Sequence, residues 1–426
     1  MLEILLKLIP VSIILLMLIK EKWAIALYMF YVVLLYGANV SLIIKFSHSF
    51  ISSICLIIYL IKNLNYVRKY AKLVKPLWVY FVLCLFTIPL QTELLIDNFR
   101  LSFFETFSWA LIIGCEGIKN PKNGVFFIKV FIIASLITII YGALLFFLPR
   151  GFNPYMMFLT YFNFTEYNEE YAVDLGRAIP RIFSTWNHPV PYNMFIGSSL
   201  IIFISLYKYI KNKIFYILLI LITFFALLTS GARSGIVAFI LSSVFMFYDK
   251  IRIKHIVILF VFVILIISLH YIPESLQDYL LSIIGSQKST SVGSSAGMRL
   301  TQLEGALECM KNNIFFGNGY NWTLYYLQNY GLHPKAITFE SLLFYVIANH
   351  GIIGFVIWGT FILMQLRLVR KTIVSRFSRL SLYSLTFYFI IYTGITGLYS
   401  CFSIYVMCFY VAYAMHIYMN ASKQDI

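Results

Sequence analysis

Apolar runs of bilayer-crossing length recur along the whole chain, separated mostly by short basic links. Examples are "VFFIKVFIIASLITIIYGALLFFL" (125–148), "IFYILLILITFFALL" (214–228) and "IVAFILSSVFMF" (236–247). A helix needs ~20 mostly apolar residues to cross a bilayer, and runs near that length recur here too often to be buried in one soluble core. Composition agrees: 12% of residues are charged, against roughly 25% in soluble domains. Aromatic residues make up 18% of the chain, which suits lipid-facing and interfacial positions. The expected fold is all-α: a polytopic integral membrane protein.

The runs lie at approximately 4–20, 23–44, 49–62, 76–90, 99–118, 125–148, 190–208, 214–230, 235–248, 255–272, 340–366, 380–397 and 400–419. Read literally they give about thirteen spans with an outside N-terminus; about twelve, in a range of eleven to thirteen, follow if one early run does not fully cross. The links "KNLNYVRKYAKLVK" (62–75), "KNPKN" (119–123), "KYIKNK" (208–213), "DKIRIK" (249–254) and "RLVRKTIVSRFSR" (367–379) are basic, which marks them as cytoplasmic. The links between them, at 91–100, 149–189, 229–235, 273–339 and 397–400, then face outside. The organisation that follows is an N-terminal membrane region (1–148), a first long extracytoplasmic loop (149–189) and central spans with a hairpin at 229–235 (190–272). A second long loop (273–339) and C-terminal spans (340–426) complete it.

Net charge is +16, but the basic residues sit in the links between spans, as orientation signals do, and no nucleic-acid partner is implied. The cysteines at 55, 84, 115, 309, 401 and 408 show no paired spacing, so neither a disulfide framework nor a zinc motif is expected. The first run lacks an A-x-A-like cleavage site and is followed by "KEK", which reads as a retained anchor.

Within the second outer loop, "SQKSTSVGSSAG" (286–297) is a flexible linker. The stretch "MRLTQLEGALECMK" (298–311) predicts an amphipathic helix, with Leu300, Leu303, Leu307 and Met310 on one face and Arg299 beside that stripe. Ser294 or Ser295 is available as its N-cap. "FFGNGYNW" (315–322) predicts a turn, and its lone G-x-G is too weak to mark a nucleotide site.

Candidate chemistry gathers on the outer side. Arg233, in "TSGARSG" (229–235), occupies an extremely short outer link, where the positive-inside bias disfavours it. A guanidinium forked toward a phosphate or carboxylate explains it; an interfacial arginine tying two helices together explains it equally. Arg177, Arg181 and Arg299 are the other outer arginines, each alone readable as solvated or salt-bridged. Convergence of several would offset the charge of a diphosphate. Glu340 stands where a span begins, on the first helical turn, and is either a helix-start residue favoured by the dipole or a carboxylate that takes a proton. His333, beside Pro334, is a loop residue or a second candidate for that task, and His188 is structural or substrate-lining. No D-x-D, H-E-x-x-H or dense carboxylate cluster is present, so neither metal nor soluble cofactor is expected.

The pieces "RIFSTWNHPVPYNMF" (181–195), "TSGARSG" (229–235), "RLTQLEGALECMKNNIFFGNGYNW" (299–322) and "ESLLFYVIANHGIIGF" (340–355) resemble, in order, segments of the O-antigen polymerases and O-antigen ligases. These are multi-pass bacterial glycosyltransferases that use polyprenyl-diphosphate-linked sugars. The resemblance implies a metal-independent enzyme of the bacterial cytoplasmic (inner) membrane with its active site toward the periplasm. Arg233 and Arg299 match arginines that engage the donor diphosphate. The family often has a His-Asn pair just before the last motif; here that register holds Phe339 and Glu340, with His333 upstream. Glu340 is therefore favoured narrowly over His333 as the base.

The expected reaction is polymerase chemistry: a growing glycan moves from undecaprenyl diphosphate onto a lipid-linked repeat unit. The O-antigen ligase reading, with transfer to lipid A–core, is the alternative. A glycolipid flippase or transporter is the alternative of another class, disfavoured by span interiors almost free of charge and by the lack of a visible repeat. The implied partners are the lipid-linked oligosaccharide, membrane lipid and a chain-length regulator protein.

Overall fold

The computed structural model describes residues 2–35, 40–41, 45–46, 48–70, 75, 108–162, 181–209, 212–247, 296–397 and 400–421. The expected spans 76–90 and 255–272, the linker at 286–295 with its capping serines, and Arg177 lie outside them. Within the described residues the regular structure is helical apart from a short ladder pairing Val40–Ser41 with Lys45–Phe46 and a single bridge between His333 and Ile337. It is an all-α polytopic membrane protein.

Helices α1 (Leu2–Ile19), α2 (Glu21–Leu34) and α3 (His48–Tyr70) are followed by α4 (108–119) and α5 (Pro121–Leu145). A short α6 (Pro154–Tyr161) precedes α7 (Pro189–Leu206), α8 (Lys213–Thr229) and α9 (Arg233–Phe247). After the second long loop come α10 (Ala296–Met310), α11 (Trp322–Tyr330), α12 (Leu342–Thr372), α13 (Arg376–Ile395) and α14 (Ser400–Ala421). Five of the described helices are long and apolar enough to cross a membrane: α3, α5, α7, α12 and α14. α1, α8 and α9 contain shorter apolar helical stretches. α13 is long but rich in Ser, Thr and Tyr; it packs against α7, α9, α12 and α14, where hydroxyls find partners in protein. Ser384 donates to the Ser242 carbonyl at 2.9 Å and Thr386 shares a 3.0 Å hydrogen bond with Tyr405.

α7 is the centre of the bundle. It packs on α5, α8, α9, α13 and α14, and nearly all its residues are buried. α2 ends at Leu34, well short of the expected 44, and beyond it Val40–Ser41 pair with Lys45–Phe46 in the small antiparallel ladder.

The links sort to two ends. At one, Lys62 pairs with Glu21 at 2.7 Å, and Lys119 donates to Asn63 at 2.9 Å. Tyr209 meets Ser378 at 3.3 Å, joining the segment after α7 to the first turn of α13. At the other end, Asn193 of α7 donates to Ser230 at the end of α8, and Tyr392 near the end of α13 donates to the Val190 carbonyl at 2.8 Å. There, too, Ser341 at the start of α12 donates to the carbonyls of Thr393 and Gly394 at 3.0 and 2.9 Å.

α12 is broken. Gly351 has φ 59°, ψ −151°, a backbone conformation that only glycine adopts without strain. The break frees backbone groups that a membrane interior cannot hydrate, and each unsatisfied group would cost several kcal/mol. The "FFGNGYNW" segment satisfies them. Asn318 and Gly319 N–H groups donate to the Ala348 and Asn349 carbonyls at 3.1 and 2.7 Å, while Ile352 and Ile353 N–H groups donate to Ile314 and Phe315, each at 3.0 Å. Contact is so close that a Cβ on Gly317 would lie 2.5 Å from the Asn349 backbone. The G-x-G is thus a plug for a helix break, and the portion of α12 beyond Gly351 is still long enough to span.

Candidate active site

The "TSGARSG" corner is built by close contact. Gly231 takes φ 71° just after the last turn of α8, the position where glycine ends a helix. Ser230 donates back to the Leu227 carbonyl at 2.8 Å and accepts from Asn193 at 2.5 Å. Gly235 faces Asn193 so tightly that a Cβ there would sit 1.8 Å from Asn193 Oδ1. Ser234 lies beside the Tyr392 hydroxyl of α13, which donates to the Val190 carbonyl at 2.8 Å. Two serines and two glycines therefore lock the corner onto α7 and α13. Arg233 opens α9; only its backbone is described.

His188 caps α7, its Nδ1 accepting from the Val190 N–H at 3.1 Å. Burial, reinforced by the charge of Arg181, pushes its pKa down to about 4, so the ring is neutral at ordinary pH. Arg181 acts electrostatically on His188 and on the Tyr392 hydroxyl. It thereby belongs to the neighbourhood of the α13 C-terminus, where helix carbonyls favour a cation.

The second half of the site is carried by α10 and the start of α12. Arg299 Nη2 lies 3.0 Å from Glu340 Oε2, and Nη1 donates to Gln302 Oε1 at 2.8 Å. Arg299 is mostly buried and Glu340 is 42% exposed. Burial lowers the Arg299 pKa and the Glu340 carboxylate opposes that shift. Neither Arg299 Nε nor Gln302 Nε2 meets a partner among the described residues. Gln302, fully buried, was not among the residues singled out from sequence. Its position one helical turn after Arg299 was the available signal.

Glu340 does not sit on the first turn of α12. The N-cap is Ser341, whose hydroxyl accepts from the Leu343 N–H at 3.2 Å, and Glu340 precedes it. Its carbonyl accepts from Gly397 N–H at 2.8 Å, tying the residue to the end of α13. Just upstream, Ile337 and Phe339 hold φ of 53° and 52°, strained for residues with bulky side chains.

His333 organises that strained loop. Its Nδ1 accepts from the N–H groups of Ala336 and Lys335 at 2.9 and 3.2 Å, and its Nε2 stands 3.4 Å from Cys309 Sγ. The ring packs between Tyr326 and Phe339. Burial lowers its pKa, Lys335 lowers it further, and Glu308 opposes both. Nδ1 as an acceptor places the neutral ring's proton on Nε2. Among the described residues no group of His, Cys, Asp and Glu is placed to hold a metal ion.

Arg181, the backbone of Arg233, Glu340 and Arg299 are thus held at one end of the bundle by contacts converging on the last turn of α13. A mostly buried guanidinium paired with a half-exposed carboxylate, with Arg181 at the same end of the bundle, is an arrangement that can fork toward an anionic group.

Residues 217–359 match the family model described as O-antigen ligase. That segment contains the "TSGARSG" corner, α10 with Arg299, Glu340 and the broken first part of α12, so the likeness to that family falls on the part of the chain that holds the site. Among curated proteins none matches the chain.

Proposed function

We propose that the protein polymerises a surface polysaccharide by transferring a glycan from undecaprenyl diphosphate to a lipid-linked repeat unit at the periplasmic face of the inner membrane. The Arg299–Glu340 pair, inside the family segment, is the observation that carries this reading.

Before substrate binds, each member of the pair compensates the other. An arriving diphosphate competes for the guanidinium, with Arg233 and Arg181 adding positive charge, and the carboxylate is released toward the acceptor. The acceptor hydroxyl oxygen then forms a bond to the anomeric carbon while the bond from that carbon to phosphate oxygen breaks. The hydroxyl proton passes to Glu340, and undecaprenyl diphosphate leaves with its charge stabilised by the arginines. His333 serves by shaping the loop, since both its ring nitrogens are engaged within the protein. Tyr326 and Tyr330, tilted against each other with Tyr326 edge-on to Phe339, offer aromatic faces to sugar rings.

The matched family model is described as a ligase, which supports a second reading with lipid A–core as acceptor. Purified protein given only lipid-linked repeat units separates the two. A ladder of products supports polymerase, and product only after addition of lipid A–core supports ligase. Movement of lipid between leaflets with no new glycosidic bond would overturn both.

A further inference from the structure

α10 has three faces, not two. Arg299, Gln302, Gly305 and Ala306 turn toward the protein, where α10 packs on α12 and on the loop at Lys335 and Ala336. Thr301, Glu304 and Lys311 form an exposed polar sector. Between them runs the leucine stripe, which the protein leaves uncovered: Leu300 is 63% and Leu307 42% exposed, with Leu303 and Met310 part-exposed on the same face. The stripe continues through Ile314, Phe315 and Phe316, all exposed, with Phe315 at 65%. Through the backbone bonds from Ile352 and Ile353 to Ile314 and Phe315, these residues abut exposed Ile352, Phe355 and Val356 of α12. That part of α12 is a candidate membrane span, so the leucine stripe extends a lipid-facing surface.

We propose that α10 is an interfacial helix, seated in the headgroup–acyl boundary of the bilayer, with lipid on its leucine face, protein on its arginine face and water on its acidic face. Helices that lie in a membrane interface show this division, with leucine and aromatic residues inserted into the boundary and charged residues outside it. A patch this apolar and continuous is not left to water in a soluble setting. Arg299 lies between the protein and lipid sectors, so the same seating holds its guanidinium at the depth of lipid phosphates. The significance of that depth rests on the diphosphate reading above; the seating itself does not.

The test places a photo-crosslinking p-benzoylphenylalanine at Leu300, Leu307, Glu304 and Phe355 in turn, in the full chain reconstituted in phosphatidylethanolamine–phosphatidylglycerol bilayers. Intact-mass analysis follows irradiation. Lipid adducts are expected at 300, 307 and 355 and not at 304. Position 355, on the spanning helix, verifies that each preparation is inserted. Adducts at 355 without any at 300 and 307 would overturn the proposal, as would crosslinks from 300 and 307 to a second copy of the chain. Because no turnover is read, loss of the glycosyl-transfer reading would leave this result standing, and the reverse also holds.

Discussion

Arg299 and Glu340 are joined at 3.0 Å, from a helix and from the residue before another helix's N-cap, across a loop held in strained backbone. The pair places a cation and a carboxylate within one hydrogen bond of each other in the family segment, and the functional consequences follow from separating them. Arg299→Ala is expected to lower glycosyl transfer by about two to three orders of magnitude, the usual effect of deleting one donor to a developing anion. Arg299→Lys is expected to restore little, because an ammonium cannot fork between Glu340 and Gln302. Steady-state turnover in detergent, with size-exclusion profiles to verify folding, measures both.

Gln302→Leu keeps the volume of the side chain and removes the acceptor for Arg299 Nη1. The expected result is loss of activity by about tenfold or more, in line with one charge-assisted hydrogen bond of ~1.5–3 kcal/mol. Gln302→Glu is expected to keep the acceptor and hold Arg299 in place while adding repulsion toward a phosphate, so its KM should rise more than its kcat falls. Equal kcat and KM to the parent in both variants would remove Gln302 from the site.

Gly235→Ala is expected to destabilise the corner by about 1–3 kcal/mol, the range for forcing an extra methyl into a packed site, because its Cβ would meet Asn193 Oδ1. Pairing it with Asn193→Ala opens the space, and the double variant should unfold at a higher temperature than Gly235→Ala alone. Thermal unfolding of the purified variants decides this.

Acid sensitivity follows from His188. An unfolded histidine binds a proton near its ordinary value of 6.5, whereas in the folded protein binding waits until about 4. The unfolded state therefore holds more protons between these values, and stability falls as pH is lowered through that window, by up to about 3 kcal/mol. His188→Asn keeps an acceptor for the α7 N-terminus but does not titrate. Its melting temperature is expected to decline less between pH 7 and pH 4 than that of the parent.

The helices were legible because an apolar run of fixed period is a local property. Charge in the links likewise sorted 208–213 and 367–379 together, and Tyr209 and Ser378 touch. The break at Gly351 was not legible: Asn349 and His350 beside it interrupt the apolar run only briefly, and the segment that satisfies the freed backbone lies some way upstream in sequence. The leucines of 298–311 showed an apolar face, but whether lipid or protein covers it depends on where the helix docks. Arg299 and Glu340 could each be singled out by residue type and position. Their contact spans a loop whose path depends on positive φ at Ile337 and Phe339, which residue type does not suggest.

Glycosyl transfer by a one-ended arginine–carboxylate site is tested most directly by incubating liposome-reconstituted protein with undecaprenyl-diphosphate-linked repeat units and resolving the glycans by length. The parent protein should form new glycosidic bonds and release undecaprenyl diphosphate, and Glu340→Gln and Arg299→Ala, folded as the parent is, should form almost none. Full product from either variant would contradict the assignment of the site.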